Sequence, residues 1–209
     1  VSVPLAKEGT GQVVVDFTPE PLTQDVSFVF HIEKTADVVV DSLTAEISGI
    51  PSTMELTTGL ILAQKTYKLL FRPTYAALPS AADSASAEAL RCEASVNIPG
   101  IVRSHTEDMV TGPGILQIAI YTHYDYEEEG TQRKAAKVFH AGINLYHTLK
   151  ERKSLQWDEE ENGYRQASRS ITVEIGSPLN IDKDGILNGG STSTGLDQWI
   201  PGETFEIEV

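Results

Sequence analysis

Asn180, Asp182 and Asp184 alternate along the chain, and Gly185 follows them. That spacing matches the first half of a calcium loop, where side-chain oxygens at every second position converge on the ion and glycine permits a sharp turn. Leu187 and Asn188 continue the pattern, but the twelfth position, which should supply a bidentate carboxylate, holds Ser191. A polar hairpin turn built on Asp-Gly chemistry accounts for the same residues. Calcium at Asn180, Asp182 and Asp184 is the one cofactor the sequence raises; otherwise none is expected.

Aromatic side chains form a second group. Tyr121, Tyr124 and Tyr126 lie on or beside one alternating segment, and Trp157 sits next to an acidic run. Exposed rings of this kind stack on sugars, which makes these four candidate ligand-binding residues. Core packing and strand propensity explain them equally well.

The remaining reactive types give no constellation. His31, His105, His123, His140 and His147 fall in no HExxH-like pattern. His140 and His147 are spaced like two helical turns, with no third ligand at zinc-site spacing. His123 falls opposite Ile118 and Ile120 on its strand, so water is its expected partner. The chain has no GxSxG, no glycine-rich phosphate loop and no Cys-His pairing signal. Its 30 acidic residues offer no evident pair for glycoside hydrolysis. A non-enzymatic protein is expected.

The elements that carry these residues are strands. Val26, Phe28, Phe30 and Ile32 share one face, and Ser27, His31 and Glu33 the other. This period of two belongs to half-buried strands of an antiparallel sheet. Similar runs cover Val38 to Ser48, Thr53 to Thr58, Thr66 to Arg72, Leu90 to Ile98, Ile115 to Tyr124, Arg133 to Ala141, Ile171 to Ile175 and Phe205 to Val209. Val13 to Phe17 reads as a buried first strand ended by Pro19 and Pro21. Lys34 to Asp37 reads as a hairpin turn, and Gly49 and Pro51 as a strand break. Gly112, Pro113 and Gly114 mark another turn, Gly130 a hairpin tip, and Asn162-Gly163 a third reversal. Arg133 to Ala141 should return antiparallel to Ile115–Tyr124, with Lys137 facing acids of the tip. Phe139, Ile143, Tyr146 and Leu149 switch to helical spacing, so a two-turn helix is expected between Gly142 and Lys153.

Seven to nine strands with short turns and no βαβ rhythm specify an all-β sandwich with at most one or two short helices; a closed barrel is the alternative. Residues 76–89, rich in Ala and Ser, read as a flexible loop. The chain is expected to form one domain over residues 1–209; two small β domains, 1–75 and 90–209, are the alternative.

Bulk properties narrow the function. Forty per cent hydrophobic and 22% charged residues are those of a globular protein. No apolar run approaches the ~18 residues that span a bilayer. A net charge of −14 opposes nucleic-acid binding, which needs clustered Lys and Arg. Acid runs at Asp125, Glu127, Glu128 and Glu129, and at Asp158 to Glu161, read as solvated hairpin tips or as surfaces that steer a cationic partner. Cys92 continues the buried-face pattern of its strand and is expected in the core. The start at Val1 leads us to expect a preceding segment that carries any export signal or lipid-attachment cysteine.

Three stretches carry a family resemblance. Ile47-Ser48-Gly49-Ile50-Pro51 precedes Met54-Glu55-Leu56-Thr57-Thr58-Gly59. Gly114 to Tyr124 and Lys134 to Ile143 form paired long strands with a charged tip. Asp197-Gln198-Trp199 leads into an alternating terminal strand, Thr204 to Val209. From about Val26 to Val209 the chain resembles fimbrillin-like proteins, the surface lipoproteins and pilus subunits of Bacteroides-type bacteria. The resemblance implies a transthyretin-like Greek-key sandwich, an outer-membrane surface location with a lipid anchor, and a role as fimbrial anchor, tip or accessory subunit. It implies no catalytic residues. Partners would be other fimbrial or surface subunits joined by strand addition, or host glycans or proteins. A carbohydrate-binding surface module is the alternative. Strand addition requires that the first or last strand lie at a sheet edge, with Glu206 and Glu208 guarding it.

Overall fold

A computed structural model describes residues 22–78, 87–102, 113–151, 153–158, 163–166, 168–186 and 199–207. The expected strand Val13 to Phe17 and most of the 76–89 stretch lie outside them, as do the second acidic run beyond Asp158, Asp197 and Gln198.

Two sheets form. The larger has the order β12 (Ile200–Ile207), β7 (Thr131–Asn144), β6 (Ile115–Glu128), β2 (Val38–Met54), β3 (Ile61–Phe71), β9 (Gly163–Gln166), β8 (Leu155–Asp158). The smaller has the order β10 (Ser170–Glu174), β1 (Gln24–Thr35), β5 (Ala87–Ile98), β4 (Thr74–Ala77), with β11 (Leu179–Ile181) also against β1. The all-β sandwich is therefore present, with one short helix, α1 (Leu145–Glu151). Its strands number 12 among the described residues rather than seven to nine. The excess comes from β4, β8, β9 and β11, three or four residues each, which are too short for a periodic pattern to reveal.

Period-two burial builds the core. Val26, Phe28, Phe30 and Ile32 of β1 meet Leu43, Ala45 and Ile47 of β2 and Ile118 and Ile120 of β6 in one cluster. Phe28 stacks on Phe71 of the opposite sheet at 5.9 Å between ring centroids. Tyr75, on β4, donates its hydroxyl across the sandwich to the carbonyls of Val40 and Asp41, at 3.0 and 3.1 Å. Cys92 lies in this core, with its thiol pushed up to about 12 by burial. An unfolded thiol ionises near pH 9.0. The unfolded chain therefore sheds protons first, and stability should decline as pH rises from about 9 to about 12. Native protein should resist iodoacetamide at pH 8 while the urea-unfolded chain reacts at once; equal rates would place Cys92 outside the core.

Several local expectations are corrected. Lys34 to Asp37 is no hairpin turn: β1 and β2 lie in different sheets, so the turn carries the chain across the sandwich. The smaller sheet is mixed, because β10 and β11 run parallel to β1. Strand periodicity encodes which face is buried but not the direction of a neighbour, and the chain visits the larger sheet before returning beside β1. Gly49 and Pro51 do not end a strand. β2 runs through them with register shifts between Ile47 and Ile50 and between Pro51 and Thr53. Gly49, at φ +77°, absorbs the extra residue of the first bulge. The expected short strand from Thr53 divides accordingly: β2 ends at Met54, and a turn follows in which Thr57 and Thr58 donate to the Glu55 carboxylate at 3.0 and 2.7 Å.

The helix expectation holds in part. Phe139 and Ile143 belong to β7; Tyr146 and Leu149 lie on α1, where Leu145 joins them in the core. The Asn144 side chain caps the helix by accepting from the His147 amide at 3.0 Å.

Candidate functional site

The β6–β7 hairpin organises the aromatic candidates. Glu128 pairs with Thr131, so only Glu129 and Gly130 form the loop, at φ +51° and +75°. Two left-handed residues make the turn that matches strand twist. Behind it, Arg133 meets Glu128 at 2.9 Å and Lys134 approaches Asp125 at 4.0 Å. The acidic tip is thus partly balanced by its own return strand. Lys137 does not join it. Its ammonium donates to the Lys183 carbonyl at 2.6 Å and lies 5.4 Å from the Tyr124 ring centre. The residue is buried. Even-numbered residues of β6 face inward, so its register partner Lys137 points between the sheets rather than toward the tip.

The same parity separates the tyrosines. Tyr124 and Tyr126 share the inward side, with ring centres 6.3 Å apart and tilted by 50°. Tyr121 lies on the opposite, outer face and is 36% exposed. Trp157 is on β8, at the far edge of the larger sheet, with β2, β3 and β9 between it and β6. The four residues therefore form no common platform.

Asp182 and Asp184 sit in the turn after β11. The Asp182 carboxylate accepts from the amides of Asp184 and Gly185 at 2.7 and 2.8 Å, and the Asp182 amide donates to the Gly185 carbonyl at 3.0 Å. Asn180 is held in β11, opposite Glu33. One Asp182 oxygen is thus committed to the backbone, and the Lys137 ammonium sits against the Lys183 carbonyl of the same turn. Among the described residues no group of three His, Cys, Asp or Glu could hold a metal ion. Millimolar calcium should leave the melting temperature unchanged; a rise that saturates with calcium would show that the loop opens to bind it.

The histidines are dispersed. His140 is on β7 and His147 on α1, so they share no helix. His123 has a protein partner rather than water alone: its Nδ1 lies 2.8 Å from the Asp41 carboxylate. Asp41 sits at the β2 register shift between Val40 and Ser42. His105 lies outside the described residues.

The geometry instead draws attention to one edge and one face. β12 ends the larger sheet and pairs, among the described residues, with β7 alone. Pro201 suits that position, because it has no amide to donate to a second neighbour. The pairing shifts between Pro201 and Thr204, where Gly202 packs so closely on β7 that a Cβ would lie 2.9 Å from the His140 Cβ. Beyond the shift, Phe205, Val138 and Tyr121 fall in one row across three strands. Val138 is buried beneath its neighbours, while Phe205 remains 51% exposed and stands edge-on to His140, with ring centres 5.6 Å apart. Val39 and Ile200 are also exposed on this face. The outer face of the smaller sheet differs: Ser27 pairs with Ser95, Asn97 with Asp25 and Arg91 with Glu93.

Phe205 therefore lies on the outer face and not in the core, and Tyr121 belongs with it rather than with Tyr124. Counting odd and even positions along Ile115–Glu128 separates Tyr121 from Tyr124, but no pattern in the sequence announces that Phe205 and Tyr121 share a row, because they come together only through β7. Among the described residues β12, the last strand, lies at a sheet edge, as expected of a terminal strand. The first described strand, β1, is central in its sheet.

No protein-family model, no curated protein and no solved structure matches the chain.

Proposed function

We propose that this protein is a non-enzymatic, fimbrillin-like component of a bacterial surface, acting in adhesion or pilus assembly as an anchor or accessory subunit that engages other subunits by strand addition. The observation that carries this reading is the position of β12: the last described strand closes the larger sheet with one side of its backbone unpaired among the described residues. An edge of that kind accepts an extended segment through main-chain hydrogen bonds, and neighbouring side chains add selectivity. The exposed Phe205 and Tyr121 beside it provide apolar contact. The dispersal of the candidate histidines and acids over separate elements is compatible with a binding role. Under this reading the protein is exported and lipid-anchored at the outer membrane.

Immunogold labelling of intact producing cells tests the proposal. Gold along surface filaments or at their bases is expected. Label confined to the cell interior, with filaments bare, would overturn it.

A further inference from the structure

Among the described residues five strands lie at sheet edges, and they are unequal. β12 has eight residues, β10 five, β4 and β8 four each, and β11 three. A longer edge presents more main-chain donors and acceptors to an added strand. The β12 edge is also the one flanked by the exposed Ile200, Phe205 and Tyr121 on a single sheet face. The shift between Pro201 and Thr204, with the missing proline amide, confines continuous pairing to Thr204–Ile207.

Charge then selects among strands. The sequence of β12, Ile-Pro-Gly-Glu-Thr-Phe-Glu-Ile, contains two glutamates and no basic residue; Glu206 has Lys137 of β7 as its register partner, while Glu203 lies within the register shift and has no cation opposite it. The whole chain carries −14. Like charges placed opposite each other on neighbouring strands destabilise the pair, and opposite charges stabilise it. A second copy of β12 would bring the same acids to the same edge.

Resting on the strand-addition reading above, we propose that the β12 edge docks an extended cationic segment of another protein, one that alternates Lys or Arg with β-branched or aromatic residues. The apolar residues of that segment would extend the face that carries Phe205, and its cations would compensate the acids of β12.

Three fluorescein-labelled peptides test this on the whole chain: Thr-Lys-Val-Lys-Val-Lys-Val-Lys-Thr and its counterparts with Gln or Glu in place of Lys. Anisotropy gives affinity, and amide hydrogen exchange gives the site. The Lys peptide is expected to bind on the order of tenfold more tightly than the Gln peptide at 150 mM salt and to slow exchange at Thr204–Ile207, while the Glu peptide binds least. Glu203→Lys, which leaves the Glu206–Lys137 register pair intact, should narrow or reverse that order. Equal binding of the Lys and Gln peptides at β12 would overturn the cation preference and leave strand addition standing. Protection at the Glu127–Glu129 tip instead of β12 would overturn the site. Protection of no sheet edge by any peptide would overturn strand addition itself.

Discussion

Gly49→Ala should lower stability by roughly 3 kcal/mol. Two costs combine at this residue. Its φ of +77° lies in the left-handed region, where a Cβ costs roughly 1–2 kcal/mol. A Cβ there would also lie 2.4 Å from the Gly114 amide nitrogen and 2.7 Å from the Pro113 Cβ, and overpacking of this kind adds roughly 1–3 kcal/mol. The neighbours cannot yield easily. The Gly114 amide donates to the Ser48 carbonyl at 2.9 Å, the Ile115 amide donates to the Ser48 hydroxyl at 3.1 Å, and the Val102 amide donates to the Gly49 carbonyl at 2.8 Å. The Gly114 carbonyl in turn accepts from the Tyr146 amide of α1 at 2.9 Å. A drop of about 10 °C in melting temperature is expected for a chain of this size. Gly59 provides the comparison: its φ is +73°, but nothing lies within 4 Å of its Cβ position. Gly59→Ala should cost only the backbone term, roughly 1–2 kcal/mol. Equal losses at the two sites, read by urea unfolding, would mean that the contact between Gly49 and the Pro113-Gly114 turn is not close.

Trp199→Ala should cost roughly 3–5 kcal/mol, the range for removing a large buried aromatic side chain. Trp199 is buried immediately before β12 and meets Phe30 edge-on, with ring centres 5.4 Å apart. It fixes the entry of β12 into the larger sheet from the core side, so its loss should also free β12 from β7. Trp199→Phe should cost much less. The indole Nε1 is buried and finds no acceptor among the described residues, so the shorter ring removes an unsatisfied donor whose burial costs roughly 1–3 kcal/mol. Urea unfolding of both variants, with amide exchange at Thr204–Ile207, checks this. An Ala variant as stable as the Phe variant would contradict the role of Trp199 as the anchor of β12.

What the sequence revealed followed from local periodicity. Phe28 and Ile32 are buried because alternate residues of a strand face the same way, and Leu116, Ile118 and Ile120 are buried for the same reason. The β6–β7 hairpin was legible because its two-residue turn joins two long alternating runs. What stayed hidden depends on pairing between distant segments. Nothing near His123 marks Asp41 as its partner, 82 residues away. Lys137 looks like a strand residue free to meet the acidic tip, yet burial and the Lys183 carbonyl decide its contacts. Gly49 and Pro51 are breakers by residue type, but the ladder with β3 resumes after each bulge, from Ala45 to Met54, and carries β2 through them. The candidate site was the least legible feature, since edge position is a property of the whole sheet order and not of any segment.

Under the proposed function β12, an edge strand among the described residues, is where other subunits make contact. A photo-crosslinking amino acid placed at Thr204, with a control at Ser95 on the polar outer face of the smaller sheet, tests it on intact producing cells. Crosslinks from position 204 to other surface subunits, identified by mass spectrometry, are expected, and none from position 95. Crosslinks from both positions alike, or from 204 only within the same chain, would contradict it.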